Sequence, residues 1–380
     1  MSEKTVQKSH ARGTSKATRS FRSAASGKPV FAFDFGEYAV KVAVLKVRRN
    51  GTQIRHLFTV ENKESLSRLE SANVRNWRMQ IQRALSQRNI IADNHLAVCT
   101  IGGKFFIHRQ LEIPYADDRD RNGLVENEMG QLLALDSASY VFQHELIDVT
   151  GEGDDRRCRV WAVAMPKETC SAAFELIRSL KLRPYIMDVH SNGIRRLLKA
   201  DETLNAETRG RTAACIDFGM THTEITFVRD GRLLADTMVD EGDGRLVAEA
   251  KNALGSRITD PSNSNKIIAS PEEICNILNR AHTTPEERAF SAYIEDWLSK
   301  VNTAISRFNF EHSQEPAERI YVYGGSPQLV WLVQYLEAVT RLPSSVIRTS
   351  PLFELEAAEE DDEEPDFSGY LNVLNLSLMD

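Results

Sequence analysis

Residues 31–46 read FAFDFGEYAVKVAVLK, and residues 213–234 read AACIDFGMTHTEITFVRDGRLL. Each stretch begins as an apolar strand, breaks at Asp-Phe-Gly, crosses a short turn and re-enters as a second apolar strand. A turn dipeptide then opens a third strand, Asn50-Gly51 in the first copy and Asp230-Gly231 in the second. The two aspartates, Asp34 and Asp217, stand 183 residues apart (217 − 34). A strand-turn-strand-turn-strand unit present twice, with an aspartate closing the first strand each time, implies two similar lobes facing one cleft.

The chain has 380 residues, 42 % of them hydrophobic, enough for two or three domain-sized units. Its formal net charge of −7 argues against a nucleic-acid binder, which would concentrate positive charge to replace phosphate counterions. Residues 1–28 hold seven Lys or Arg against one acid, Glu3, with little to bury, and are expected to form a disordered basic tail. That tail lacks a signal's apolar core, and no run approaches 18 uncharged apolar residues, so a cytoplasmic location is expected. Cys99, Cys158, Cys170, Cys215 and Cys275 are scattered without ligand spacing, which predicts reduced thiols and no zinc site among them.

The first lobe is expected at 29–104, with a strand from Val30 that turns at Asp34-Phe35-Gly36, a second arm carrying Val42, Val44 and Val47, a third strand at 52–59, a helix over 66–87 and a strand at 96–100. A small α+β insert is expected at 105–184: strand 105–113, helix 117–135, strands 140–149 and 158–165, helix 167–182. The first lobe returns at 185–210 as strand 185–189, helix 192–199 and a polar linker. The second lobe, 211–345, continues through helices near 245–254, 271–280 and 286–308 to ERIYVYGGSPQLVWLVQYL at 318–336, a strand, a glycine pair and a helix capped by Ser326. Residues 346–380 hold an acidic loop and an apolar segment, 370–378, expected to pack back on the first lobe as a terminal helix.

An aspartate, a glycine and a lysine at one hairpin can hold a phosphate chain and its metal. Each motif also has a local reading. Asp34 and Asp217 can cap turns, Lys41 can guard an edge strand, His222 can be a turn residue, and Gly324-Gly325 can allow strand–helix packing. No G-x-S-x-G, H-E-x-x-H or G-x-x-x-x-G-K-[ST] motif occurs, so no nucleophile–base constellation is readable.

DFGEYAVK, DFGMTHTE and YGGSPQLV, in this order, resemble the phosphate-one, phosphate-two and adenosine motifs of the actin-like ATPase superfamily. The insert lies where FtsA and PilM proteins carry their extra subdomain. HRQLEIPY, AMPKETCSAAFELIRSLKLRPYIMDV and EDWLSKVNTAISRFNF are similar to PilM proteins of type IV pilus assembly. The resemblance covers about residues 30–378. It implies an α/β, duplicated ribonuclease H-like, actin-like two-lobed fold with an FtsA/PilM-type α+β subdomain. It assigns Asp34, Gly36 and Lys41 to the first phosphate turn, Asp217, Gly219, Thr221 and Thr223 to the second, and Gly324, Gly325 and Ser326 to the nucleoside. Gly242 and Gly244 match a glycine-bearing segment, Asp188 a connecting-segment acid, and Asp34 and Asp217 the ATP-bound Mg.

This chain departs from that pattern. Glu37 and Tyr38 replace small hydroxyl residues in the first turn, Met220 and His222 replace small residues in the second, and Val330 and Trp331 stand where the family has a later small residue. A carboxylate beside a polyphosphate is repulsive by several kcal/mol at an effective dielectric of about 20. The expectation is therefore a degenerate ATP site without useful hydrolysis. The resemblance implies a cytoplasmic scaffold at the inner-membrane face of a pilus platform, holding the tail of a PilN-like bitopic protein, with a pilus motor ATPase as a further candidate partner. Phe106, His108 and Arg109 on the first strand of the insert are the candidate partner-binding residues. The alternatives are an ATPase with a conformational cycle, or an FtsA-like polymerising membrane tether; the ending NVLNLSLMD lacks the tether's basic amphipathic helix.

Overall fold

The computed structural model describes residues 20–25, 27–61, 71–254, 259–260, 263–267, 284–324, 330–356 and 365–379. In chain order, the first part contains α1 (Phe21–Ala25), β1 (Val30–Phe35), β2 (Ala39–Arg48), β3 (Gly51–Glu61), α2 (Ser71–Gln87) and β4 (Leu96–Ile101). The middle contains β5 (Ile107–Pro114), α3 (Asp118–Leu133), β6 (Tyr140–Thr150), β7 (Arg157–Pro166), α4 (Lys167–Ser179), β8 (Arg183–Val189), α5 (His190–Ala200) and α6 (Glu202–Thr208). The last part contains β9 (Thr212–Phe218), β10 (Thr223–Arg229), β11 (Arg232–Val239), α7 (Asp243–Leu254), β12 (Thr259–Asp260), β13 (Asn263–Ile267) and α8 (Pro285–Glu311). It ends with β14 (Ala317–Gly324), α9 (Val330–Thr340), β15 (Ser344–Val346), β16 (Phe353–Leu355) and α10 (Leu371–Leu374).

The duplication is visible in the sheets. The first is ordered β16-β3-β2-β1-β4-β8 and the second β11-β10-β9-β14-β15. In each, the Asp-Phe-Gly strand sits inside, antiparallel to the strand after the turn and parallel to its other neighbour, β4 or β14. Because side chains alternate along a strand, Phe31, Phe33 and Phe35 of β1 enter a core with α2 and α4, while Val30 and Ala32, and with them Asp34, use the other face. On β9, Ile216 and Phe218 enter the core around Trp297 of α8, whereas Ala213, Cys215 and Asp217 face the opposite way. Val30, Ala32, Ala213 and Cys215 belong to one apolar core shared by both lobes. Alternation thus turns both aspartates toward the same seam.

The insert is the sheet β5-β7-β6 with α3 and its own small core, including Leu111, Val125, Met129 and Val160. Its limits differ from the expected 105–184. Phe105, Phe106 and α4 belong instead to the first lobe's core with Trp77, because α4 lays Ala172, Ala173, Leu176 and Ile177 against that lobe.

Three other expectations are corrected. The stretch expected to be tail over 1–28 includes a helix at 21–25, whose Phe21 and Ala25 are buried in the shared core, with Phe21 6.3 Å from the Tyr185 ring. The expected polar linker contains α6, started by Asp201, whose carboxylate accepts from the Thr203 and Leu204 N–H groups at 3.0 Å. The terminal segment is a 3-10 turn, α10 and a second 3-10 turn; its Leu371, Val373, Leu374 and Leu376 fill the seam between both lobes rather than packing on the first alone. The helix expected at 271–280, the start of that expected at 66–87, the acidic run 359–364 and Cys275 lie outside the described residues. Among the described cysteines all four are unbridged, and no described helix is long and apolar enough to cross a membrane.

Candidate functional site: the interlobe cleft

The two Asp-Phe-Gly turns share one hydrogen bond. Gly36 N–H donates to Ala39 O, and Gly219 N–H donates to His222 O, each at 3.0 Å. A Cβ at Gly36 would sit 3.0 Å from Ala39 O, and one at Gly219 2.9 Å from His222 O, so both hairpins need glycine for the close return of the chain. Gly242 packs on the second turn, where a Cβ would come within 2.5 Å of Gly219 O, and Gly244 N–H donates to Met220 O at 2.9 Å.

At the mouth of the first turn the buried Glu37 carboxylate receives Lys104 Nζ at 2.5 Å and the Thr221 hydroxyl from the other lobe. Deeper, Asp34 and Asp217 are also buried. Lys41, directly opposite Asp34 in the hairpin register, stands 3.9 Å from it. The matching position opposite Asp217 holds Glu224. This carboxylate reaches across to the first lobe, where it accepts the Gly103 N–H at 2.6 Å and lies where a Cβ on Gly102 would be; His222 Nε2 is 3.1 Å away.

His190, the first residue of α5, joins these carboxylates. Its Nε2 is 2.9 Å from Asp34 Oδ1, and its Nδ1 is 3.6 Å from Asp217 Oδ2 and 3.4 Å from Glu224 Oε2. Burial alone would lower the histidine pKa, but Asp34 and Glu224 outweigh it and hold it well above the usual value. Burial likewise opposes ionisation of Asp34 and Glu224, yet His190 keeps both below the ordinary carboxylate range. Asp217 shifts the other way: burial and the neighbouring Glu224 raise it despite His190. Asn372 of α10 donates to Asp217 Oδ2 at 2.7 Å, tying the C-terminal segment to the cleft.

The remaining expected site residues fall into two groups. Thr223 is fully buried; its hydroxyl donates to Glu241 O at 2.8 Å and accepts from Trp297 Nε1 at 3.0 Å, a structural role. Gly324 has φ +112°, and the space a Cβ would need is taken by the Asp217 carboxylate and the Phe218 backbone. Asp188 accepts from its neighbour's Val189 N–H and from Asn192 Nδ2, each at 2.9 Å, and from Arg196, so it organises the start of α5. Gly325 and Ser326 lie outside the described residues.

Phe106 is buried in the first lobe's core, and the His108 ring stacks on Trp161 at 5.3 Å with Nε2 3.1 Å from Asp236 O. Arg109 is exposed. All three line a recess of about 270 Å³ between the insert and β11, shared with Glu224, Asp236 and Met238. Burial, reinforced by Glu224, pushes the Asp236 pKa up to about 8.

Sequence reasoning missed His190, Glu224, Lys104 and Asn372. Only Glu224 had a signal: the internal repeat places it opposite Asp217, where the first copy has Lys41.

Comparison with known proteins fits this architecture. No curated protein sequence matches the chain. Among solved structures, a PilM-PilN type IV pilus biogenesis complex aligns with a TM-score of 0.70 at 15 % identity, covering 92 % of this chain and 99 % of that one. The ethanolamine utilization protein EutJ from Carboxydothermus hydrogenoformans aligns at 0.46 with 11 % identity, covering 93 % and 90 %. MreB 5 of Spiroplasma citri, bound to AMPPNP, aligns at 0.45 with 9 % identity, covering 84 % and 92 %. The sequence pattern of type IV pilus assembly protein PilM matches residues 32–378. That span takes in both lobes, the insert and the terminal segment, and the chain therefore belongs to the type IV pilus assembly PilM family, with its actin-like two-lobed fold.

Proposed function

We propose that this protein is a non-catalytic adaptor of an inner-membrane pilus assembly platform, working at the cytoplasmic face, with its nucleotide cleft filled by its own side chains. The observation that carries the reading is the carboxylate network joining the two turns. Lys104 and Thr221 hold Glu37 where a phosphate would lie, His190 lies between Asp34 and Asp217, and Asp217 fills the space at Gly324. The cations Lys41, Lys104 and His190 already face Asp34, Glu37, Asp217 and Glu224. A triphosphate would add several like charges to a cleft with no free cation among its described residues, so these groups do not fit Mg-ATP.

Family membership and the likeness to the PilM-PilN complex support a PilN-like membrane partner, and the segment proposed to bind is its short cytoplasmic tail. Its docking place is the outer edge of β5, an edge strand of the insert sheet, where Arg109 is open beside the recess and an extended peptide can add as a strand. Phe106 and His108 support that edge from within. A synthetic peptide from the N-terminus of the PilN-like protein is expected to bind with a Kd on the order of micromolar, as segments that order on binding do. Arg109→Glu is expected to weaken it about tenfold by removing a charge from the rim. Removal of residues 1–19 leaves affinity unchanged. Failure of the intact chain to bind the peptide overturns the adaptor reading, whereas equal binding by Arg109→Glu overturns only the docking place.

A further inference from the structure

The two nitrogens of His190 have different surroundings. Nε2 is bonded to Asp34, whereas Nδ1 is buried without a hydrogen-bond partner and faces Asp217 Oδ2 at 3.6 Å and Glu224 Oε2 at 3.4 Å. The residue is only 8 % exposed. One ligand atom from each of His190, Asp217 and Glu224 lies within 4.8 Å of the other two. Donors at 2.0–2.2 Å around a tetrahedral ion are separated by about 3.3–3.6 Å. Two edges of such a coordination face are therefore already at the required length, and rotation of one carboxylate closes the third.

The surrounding groups suit an ion as well. With a metal on Nδ1, the Nε2–H points at Asp34, the carboxylate–histidine–metal relay that fixes the tautomer and orients the ring. Glu224 also lines the recess beside His108 and Arg109, which supplies an entry route and room for a water as a further ligand. One imidazole nitrogen with two carboxylates suits zinc-class divalent ions, whereas Mg prefers an all-oxygen octahedron.

We propose that His190, Asp217 and Glu224 form a nucleotide-independent site for a divalent transition ion of the zinc class, with Asp34 as its positioning residue. His190 comes from the first lobe and the two carboxylates from the second, so the ion staples the lobes together across the cleft. This goes beyond the adaptor reading and does not depend on any partner.

The test uses the full chain, stripped with a chelator and free of nucleotide, titrated with Zn²⁺ and separately with Co²⁺. The expected result is uptake of one equivalent, intense visible bands of a tetrahedral Co²⁺ centre, a higher melting temperature and no displacement by excess Mg²⁺. Glu224→Gln keeps the side-chain shape and is expected to abolish the tetrahedral spectrum. Asp34→Asn is expected to keep the spectrum while weakening affinity about 10–100-fold. No uptake by the unaltered chain overturns the proposal, and so does an equivalent retained with the same spectrum in Glu224→Gln, since the ion would then be held elsewhere.

Discussion

The two Asp-Phe-Gly hairpins have the same backbone and opposite electrostatics. Each closes with a glycine N–H to the carbonyl three residues on, and each buries its aspartate at the end of an inner strand. In the first, the residue facing the aspartate is Lys41, a cation 3.9 Å away, and His190 adds a closer contact at 2.9 Å. In the second it is Glu224, a second buried acid, and the compensating charge arrives from the other lobe as His190. A duplicated frame thus conserves its turn geometry, which the glycines enforce, while one substitution opposite the aspartate makes the second hairpin depend on the first lobe.

The sharpest way to break this comparison is to remove the bridging cation. His190→Ala leaves Asp34, Asp217 and Glu224 buried without their partner, and breaking a buried pair costs about 3–5 kcal/mol. Denaturant titration checks it; a loss below about 1 kcal/mol would mean the carboxylates re-solvate freely.

The same residue sets a pH signature for the metal-stripped protein. His190 has its folded pKa raised, so its contribution is complete below about pH 6.5, the unfolded value, and is lost as pH rises through the folded one. Asp34 and Glu224, held low, contribute above about pH 4.5 and lose that contribution on acidification. Stability should fall as pH rises above about 6.5, and less steeply in His190→Asn; equal slopes would contradict the bridging role.

A smaller effect is expected at the other contact to the second aspartate. Asn372→Ala removes a buried hydrogen bond to Asp217 and should cost about 1.5–3 kcal/mol, read from the same titration. Least of all should follow from Lys41→Ala in the first hairpin, where His190 still faces Asp34. The pair is 3.9 Å apart and the lysine is 22 % exposed, so a loss of about 0.5 kcal/mol is expected. A Lys41 effect exceeding that of Asn372 would reverse the ranking of the two hairpins.

Much of this architecture is legible in the sequence because it is local and periodic. The repeated turns, the apolar strands and the first helix of the insert all announce themselves within a few residues. The cleft's contents are not local. His190 lies 156 residues from Asp34, and Asn372 lies 155 from Asp217, so only the closed seam brings them together. Phe21 is hidden differently: one aromatic among basic residues reads as tail until the core it enters is known. Likewise, α4 follows the insert in sequence but packs by its apolar face on the first lobe.

The central claim is that protein side chains occupy the place of a nucleotide, and it is tested most directly by adding Mg-ATP at millimolar concentration and following the melting temperature. The expected result is almost no shift for the natural chain and a measurable one for Glu37→Ser, which removes the carboxylate from the first turn. A large shift for the natural chain, abolished by Asp217→Ala, would contradict the account.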